Sequence, residues 1–262
     1  MLRRAVTAAV LAAACLATTA TAQTRPFDPE IGLGGKDVVW VPTPPELVER
    51  MLDLATVTPA DLVMDLGSGD GRNVIAAARR GARAIGVEYN PDLVRLSTER
   101  AEEAGVAGRA TFVEGDMFAA DISRATVLAL FLLPANLETL RDRFLATAPG
   151  TRIVLNTFDI PDWTPDATVK LDGCQHWCTA LLYVVPARVA GRWAVDGGTL
   201  ELTQTFQMVT GTLTTADGAR RVTGRLRGTA LTLTPAGGGT PLTGTVQGDR
   251  IDGPGLAARR LP

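Results

Sequence analysis

The sequence contains few of the residues that build metal centres, with one histidine and three cysteines among its 262 residues. Two of the cysteines flank the histidine in the run CQHWC, from Cys174 to Cys178. Two thiolates and one imidazole supply three ligands, and no second cluster supplies the fourth ligand that a structural zinc site needs. The spacing therefore favours a local disulfide that closes a hairpin tip. A pair of free thiols and a metal site are the alternatives, and we expect no bound metal.

Lysine is also scarce, because Lys36 and Lys170 are the only two in the chain and nearly all positive charge is arginine. The formal net charge is -2, with 26 basic and 28 acidic residues. Proteins that hold nucleic acid by its phosphates carry a basic surface. The mildly acidic balance therefore argues against a nucleic-acid partner.

A stretch that would anchor the mature chain in a membrane is missing as well. The first 22 residues instead follow the order of a secretory signal peptide: Arg3 and Arg4, a short apolar region from Ala5 to Ala17, and the small residues Ala20-Thr21-Ala22. We expect export to the periplasm or beyond, with a mature chain that begins at Gln23. An uncleaved short anchor and a lipoprotein attached at Cys15 are the alternatives.

Strand and helix patterns alternate through the middle of the chain. An amphipathic helix is predicted with Thr43 as its capping residue, in a capping box with Glu46, and Pro44 as its first residue. A short apolar strand ending at Gly67 follows it. Further strands and helices alternate as far as the apolar run TALLYVVPA. Strands that are apolar throughout and alternate with helices indicate a parallel sheet covered on both faces. The predicted fold class is α/β, with a Rossmann-like, mostly parallel, seven-stranded sheet.

The pattern changes near residues 186–192. No helical period continues beyond them, and short alternating strands recur, three of them in the related runs VTGTL, VTGRL and LTGTV. These runs predict a small all-β C-terminal domain, an antiparallel meander, for which we expect a packing or docking role. The predicted organisation is a signal peptide at 1–22, a linker at 23–35, the α/β domain at 36–187 and the β domain at 188–262.

A glycine-rich loop follows the first strand of the α/β domain. In VMDLGSGDGR, Gly67, Gly69 and Gly71 occupy every second position. Glycine permits a sharp turn and lets a ligand approach the backbone closely. Glu88 ends the next strand, about 20 residues on, where a carboxylate can hold ribose hydroxyls at the carboxyl edge of the sheet. The pattern predicts a ligand that contains adenosine.

The loop departs from the dinucleotide fingerprint G-x-G-x-x-G, because Arg72 stands where the third glycine belongs. Asp65 and Asp70 also make the loop acidic, which repels a pyrophosphate and suits a ligand with a sulfonium and an ammonium group. The predicted cofactor is therefore S-adenosylmethionine. An oxidoreductase that uses a dinucleotide is the alternative.

The motifs VMDLGSGDGR, GVEYN and EGDMF together resemble those of the class I S-adenosylmethionine-dependent methyltransferases. WVPTP before the first helix and FLLP after the fourth strand are similar to the branch that includes the mitochondrial protein-lysine methyltransferases acting on ATP synthase, and to exported bacterial relatives of unassigned substrate. The resemblance covers about residues 36–187, and the C-terminal β domain lies outside it.

The resemblance implies roles for particular residues. Glu88 would hold the ribose, and Asp116 with Met117 would frame the adenine. The loop on the methionine side would comprise Asp65, Gly67, Ser68, Gly69 and Gly71. Thr43 is a further candidate to contact the cofactor, although helix capping alone would explain it.

Candidates for the acceptor channel follow the fourth strand: Leu133, Pro134 and Asn136. Core packing and a helix start would explain these residues equally well. Trp40 and Trp163 are candidates to flank the entrance, with ordinary burial as the alternative.

The resemblance implies methyl transfer to a protein lysine or another amine, in which the protein aligns the acceptor with an activated methyl group and excludes water. No catalytic base is assigned, because LFLLPAN stands where adenine amino-methyltransferases carry Asn-Pro-Pro-Tyr. The alternatives from other classes are an exported module that binds S-adenosylmethionine without turnover, and a cell-envelope protein whose β domain binds a partner.

Overall fold

The protein is described here by a computed structural model, which covers residues 27–262. The predicted signal peptide lies outside these residues. The covered chain forms an α/β domain followed by a β-barrel. None of the helices within residues 27–262 is both long enough and apolar enough to cross a membrane.

Helices and strands alternate in the first half of the α/β domain, and its last strands follow one another directly. The helices are α1 Pro45–Leu54, α2 Arg72–Arg79, α3 Pro91–Glu103 and α4 Pro134–Leu145. The strands are β1 Leu62–Leu66, β2 Arg83–Glu88, β3 Ala110–Glu114, β4 Val127–Leu130, β5 Arg152–Asn156, β6 Ala167–Lys170 and β7 Thr179–Val184.

The seven strands form one sheet in the order β3-β2-β1-β4-β5-β7-β6. Strands β1 to β5 pair in parallel, whereas β7 runs antiparallel to β5 and to β6. The predicted Rossmann-like, mostly parallel sheet is thereby confirmed. The strand order reverses between β1 and β4, and ligands of open α/β sheets bind beyond the carboxyl ends at such a reversal.

Both faces of the sheet are covered, which is why its central strands are apolar throughout. In β4, Val127 and Ala129 pack with α1, α2 and α3, whereas Leu128 and Leu130 pack with α4 on the opposite face. Because side chains alternate across a strand, a strand buried on both faces needs apolar residues at every position.

Helix α1 begins one residue later than predicted. Its N-cap is Pro44, its first residue is Pro45, and no side chain caps it. The predicted capping box between Thr43 and Glu46 is therefore wrong. A residue that precedes proline disfavours helical geometry, which keeps Pro44 extended. The Thr43 hydroxyl instead accepts a hydrogen bond from Asn156 Nδ2 at 3.1 Å, at the end of β5.

The C-terminal strands form a closed barrel. They are β8 Gly191–Val195, β9 Gly198–Thr205, β10 Met208–Thr215, β11 Gly218–Arg227, β12 Ala230–Pro235, β13 Leu242–Gln247, β14 Arg250–Asp252 and β15 Ala258–Arg260. Neighbouring strands are antiparallel, as predicted, and β15 pairs with β8 to close the ring. Closure removes the exposed edges that an open meander would keep.

The barrel packs directly against the α/β domain. Phe206, in the turn between β9 and β10, stacks on Trp163 with ring centroids 5.3 Å apart. The Gln207 side chain donates a hydrogen bond to the Thr164 carbonyl at 2.7 Å. Trp163 is 2% exposed and belongs to this contact, so the prediction that it flanks the ligand entrance is wrong.

Candidate active site

A cleft of about 210 Å³ opens at the carboxyl ends of strands β1 to β5. The loops that follow these strands supply one side of it, and residues 33–43 supply the other. The cleft therefore lies at the reversal of strand order, where the fold favours a ligand.

Most of the predicted site residues line this cleft: Thr43, Asp65, Gly67, Ser68, Gly69, Glu88, Asp116, Met117 and Leu133. Trp40 lines it as well. These residues come from the loops after several strands and from one N-terminal segment, and the sheet brings them together because its parallel strands end at one edge.

Three predicted residues are not among those that line the cleft. Gly71 is the N-cap of α2 with φ +80°, and a Cβ there would lie 2.7 Å from the Phe112 ring. It is glycine because the turn and the packing require it. Pro134 begins α4, and Asn136 is buried on that helix at 7% exposure. A helix start and core packing therefore account for these two residues.

Glu88 shapes the glycine loop. Its Oε2 accepts a hydrogen bond from the Gly69 N–H at 2.8 Å, and its Oε1 accepts one from the Asn90 N–H at 2.9 Å. Gly69 has φ +54°, and a Cβ there would lie 2.7 Å from Trp40 Nε1. Each carboxylate oxygen keeps a further lone pair, so Glu88 can still accept hydrogen bonds from a ribose.

Asp65 is one of three buried acids that line the cleft, at 3% exposure. Asn73 Nδ2 donates a hydrogen bond to its Oδ2 at 3.1 Å. Burial is the main cause that raises the pKa of Asp65 well above its ordinary value, and the charges of Glu88 and Asp70 act in the same direction. A buried carboxyl without a basic partner is stabilised in its charged form by a cationic ligand.

Asp70 is paired with two arginines. It forms ion pairs with Arg72 at 2.6 Å and with Arg100. Burial opposes ionisation, but the hydrogen bond from Arg72 and the two positive charges lower the pKa of Asp70 overall. The prediction that Asp70 makes the loop acidic toward the ligand is therefore wrong, because its charge is neutralised within the protein.

Asp116 lies at the outer end of the cleft, after β3. Its Oδ2 forms an ion pair with Lys36 at 2.6 Å, and its Oδ1 accepts a hydrogen bond from the Phe118 N–H at 2.8 Å. The Lys36 hydrogen bond is the first cause that lowers the pKa of Asp116. Lys36 also lies 5.5 Å from the centroid of the Tyr89 ring. These contacts join the N-terminal segment to the far wall of the cleft.

The opposite half of the cleft is aromatic. Phe131 follows β4, Phe158 follows β5, and Trp177 belongs to the loop between β6 and β7; all three line the cleft. The sequence patterns did not predict this cluster. Its only signals were the position of Phe131 and Phe158 after strand ends and the tryptophan within CQHWC, and none of these shows that the rings meet.

Cys174 and Cys178 form a disulfide, with their Cα atoms 5.7 Å apart, which confirms the predicted local pairing. Their sulfur atoms are therefore not available as thiolate ligands. Within residues 27–262, no group of three or more histidine, cysteine and carboxylate side chains is arranged to hold a metal ion.

Comparison with known proteins agrees with this geometry. The family profile described as "ANTKMT methyltransferase domain" matches residues 65–167. A "Protein-lysine N-methyltransferase" of Saccharolobus islandicus (strain REY15A) is 42% identical over 151 residues, which are 56% of this chain and 94% of that protein. A Mus musculus lysine N-methyltransferase, named for ATP synthase, is 38% identical over 130 residues, 49% of this chain. The chain spans about half of that mammalian relative, 52% of its length.

A solved structure is similar over the same share of the chain. It is described as an RNA methyltransferase from Salinibacter ruber in complex with S-adenosyl-L-homocysteine, with 48% identity and a TM-score of 0.54. The match covers 57% of this chain and 96% of that one. S-adenosylhomocysteine is what remains of S-adenosylmethionine after its methyl group has left, which identifies S-adenosylmethionine as the cofactor. On these matches, the chain belongs to the S-adenosylmethionine-dependent methyltransferases.

Proposed function

We propose that this protein transfers the methyl group of S-adenosylmethionine to the side-chain amine of a lysine in another protein. The observation that carries the proposal is the uncharged acceptor half of the cleft, formed by Phe131, Leu132, Leu133, Phe158 and Trp177. An amine attacks only in its neutral form, and apolar surroundings lower the pKa of a lysine. The relatives named as lysine methyltransferases support the same acceptor.

The residues of the other half fit the cofactor. S-adenosylmethionine supplies an activated methyl group on a positively charged sulfur. The buried Asp65 carboxyl would offset the positive charge of the methionine part, and Glu88 would accept the ribose hydroxyls. The positive φ of Gly67 and Gly69 turns the loop sharply, and the absence of side chains there would let the ligand approach its backbone. Asp116 and Met117, after the end of β3, would contact the adenine.

The chain contributes alignment and exclusion of water to the reaction. None of the side chains that line the acceptor half in the described part of the chain is a titratable base. The amine would therefore lose its proton to solvent as it enters the apolar half, and the protein would hold it in line with the methyl group. Alignment of this kind removes much of the barrier of a bimolecular transfer.

An RNA acceptor is the second candidate, because the Salinibacter relative is described as an RNA methyltransferase. Two basic residues, Lys36 and Arg72, are among those that line the cleft, and they pair with Asp116 and Asp70. Phosphates need basic groups that are free to contact them. The charge distribution of the cleft therefore favours a protein acceptor.

Labelled S-adenosylmethionine distinguishes a protein acceptor from an RNA acceptor. The protein is incubated with an envelope extract and, separately, with total RNA from the same cells. We expect label in a protein band, at a lysine located by mass spectrometry, and none with an Asp65→Asn variant. Label in RNA alone would overturn the lysine proposal and leave the methyltransferase activity intact.

We also propose that the protein is exported. The order of residues in 1–22 supports this, and so does the Cys174–Cys178 disulfide, because disulfides persist mainly in oxidising compartments. N-terminal sequencing of the protein from an envelope fraction should begin at Gln23. An intact Met1 in the cytosolic fraction would contradict export. An exported binding module without turnover has less support, because the relatives are named as methyltransferases.

A further inference from the structure

Three aromatic rings contact one another in the acceptor half of the cleft. The centroids of Phe131 and Phe158 are 6.1 Å apart with nearly parallel planes, 19° from each other. The Trp177 ring lies 5.4 Å from Phe131 and 5.5 Å from Phe158, tilted by 59° and 55°. The rings come from three separate loops, each ring contacts the other two, and all three line the cleft.

Trp177 is held in an unfavourable backbone conformation. Its φ is +57°, a left-handed value that bulky residues rarely adopt, and its side chain is 37% exposed. Strained residues persist where the surroundings over-determine them, and they cluster at functional sites. Here the Cys174–Cys178 disulfide closes a short ring that contains Trp177.

We propose that Phe131, Phe158 and Trp177 form a cation-binding wall for the acceptor nitrogen, and that the Cys174–Cys178 disulfide positions Trp177 in it. The inference rests on the proposed function, because it takes the acceptor to be an amine. It adds the chemical basis of acceptor recognition, the attraction between a methylated ammonium and aromatic faces.

The charge balance of the transfer explains why rings suit this position better than carboxylates. The nitrogen lone pair forms a bond to the methyl carbon. At the same time the bond between carbon and sulfur breaks, and the two electrons of that bond stay on sulfur. Positive charge thus moves from sulfur to nitrogen without a net change. Aromatic faces attract the charge that develops on nitrogen, yet they do not stabilise the protonated amine as strongly as a carboxylate would, so the neutral amine remains accessible.

The test compares a cation with a neutral molecule of the same shape. The probes are acetyl-trimethyllysine methylamide and its carbon analogue, in which a tert-butyl group replaces the trimethylammonium. Both are titrated by NMR into the protein saturated with S-adenosylhomocysteine. We expect the wild type to bind the cation on the order of tenfold more tightly than the neutral analogue.

Substitutions then show which residues produce the preference for the cation over the neutral analogue. Trp177→Leu should reduce the ratio between the two probes to near one, and Trp177→Phe should keep part of it. Cys174→Ser with Cys178→Ser should reduce the ratio to an intermediate value, as should a reducing agent on the wild type. Met208→Leu is the control, since it changes an exposed side chain of the barrel outside the cleft and should leave the ratio unchanged.

The outcomes separate this inference from the proposed function. Equal binding of both probes to the wild type, or an unchanged ratio in Trp177→Leu, would overturn the wall even if labelled methyl groups reach a lysine. Label in RNA together with a cation preference would instead overturn the lysine acceptor and keep the wall as a site for a methylated ammonium. Calorimetry with S-adenosylmethionine should show that Trp177→Leu binds the cofactor normally, which checks that the variant is folded.

Discussion

Two aspartates at the two ends of β1 have opposite electrostatic environments. Asp61 pairs with Arg152 and accepts a hydrogen bond from the Thr126 hydroxyl at 2.7 Å. Burial opposes its ionisation, but its hydrogen bonds and the arginine lower its pKa overall. Asp65 has no basic partner within residues 27–262, and burial raises its pKa. The first aspartate therefore stabilises the fold, whereas the second is costly to the fold and available to a cation.

Exchanging each aspartate for asparagine should separate the two roles. Asp65→Asn should weaken S-adenosylmethionine binding by more than about tenfold and leave the melting temperature of the free protein equal or higher, because an unpaired buried charge is removed. Asp61→Asn is the matched control. It should lower stability by about 1–3 kcal/mol, since Arg152 loses its partner, and keep cofactor affinity. Calorimetry and thermal melting measure both effects, and loss of binding in Asp61→Asn alone would contradict the assignment.

The raised pKa of Asp65 also predicts a pH dependence. Only the ionised carboxyl attracts the cofactor cation, so affinity should fall as pH falls through this raised pKa. The stability of the free protein should change in the opposite sense and rise as pH falls. A carboxyl whose pKa is raised in the folded state contributes stability that is fully present below its ordinary pKa of 3.8. That contribution is lost as pH rises through the raised pKa of the folded state. Titration calorimetry across pH should show this trend in the wild type and a flat profile in Asp65→Asn.

Two glycines of the loop share a backbone conformation and differ in their surroundings. Gly67 has φ +73° and its added Cβ would lie 3.5 Å from Leu132, an ordinary contact, whereas a Cβ at Gly69 would displace the Trp40 indole. Gly67→Ala and Gly69→Ala should each cost roughly 1 kcal/mol of stability from backbone strain. Gly69→Ala should in addition weaken cofactor binding more and shift the tryptophan fluorescence. Equal binding in the two variants would show that displacement of Trp40 has no effect.

Among the elements, the N-terminal segment formed by residues 33–43 contributes more of the cleft than the predicted residues Trp40 and Thr43 alone. Trp40 N–H donates a hydrogen bond to the Leu33 carbonyl at 2.8 Å, and an isolated bridge joins Gly34 to Val39, so the segment folds back on itself. It lines the cleft and reaches Asp116 through Lys36. Residues 33–35 therefore belong to the site, although they fall within the predicted linker at 23–35.

The ion pair between Lys36 of this segment and Asp116 after β3 should slow release of the cofactor. Lys36→Met should accelerate dissociation of S-adenosylmethionine several-fold, because the segment loses its ion pair with Asp116, and exposed pairs of this kind contribute little to global stability. Lys170→Met, which changes the other lysine of the chain on β6, is the control and should leave the rate unchanged. Stopped-flow fluorescence measures the rate. Equal rates in the wild type and Lys36→Met would show that the segment does not retain the ligand.

At the scale of the whole molecule, the barrel completes the hydrophobic core of the α/β domain. Trp163 lies between Tyr183 and Phe206, with centroids 5.3 Å from each ring. Arg225 of the barrel pairs with Asp166 at 2.5 Å beside this contact. Because Phe158 of the aromatic wall precedes Trp163 on the same loop, the barrel also supports the position of the acceptor half.

Truncation of Phe206 should therefore destabilise the α/β domain as well as the barrel. Phe206→Ala should cost about 1–3 kcal/mol, since the half-buried ring loses its stacking partner. Met208→Ala, two residues on at the start of β10 and 53% exposed, is the control and should stay within about 0.5 kcal/mol of the wild type. Chemical denaturation followed by tryptophan fluorescence measures both. An unchanged midpoint in Phe206→Ala would show that the two domains unfold independently.

Much of the fold and the cofactor half of the cleft was predictable from the sequence. The strands and helices of the α/β domain depend on the spacing of apolar residues along short stretches. Asp65, Gly69 and Glu88 were predictable because a parallel sheet brings successive strand ends to one edge. The start of α1 was mispredicted, since a second proline overrode the capping pattern at Thr43.

The sequence by itself determined the periodicities, the glycine loop and the local pairing of Cys174 with Cys178, because each depends on residues that are neighbours in the chain. Only the tertiary structure decided that Arg100 neutralises Asp70, that β15 closes the barrel on β8, and that the rings after β4 and β5 meet the loop between β6 and β7. These contacts join residues far apart in the chain, and their partners are selected by packing and charge in three dimensions, which no local spacing encodes.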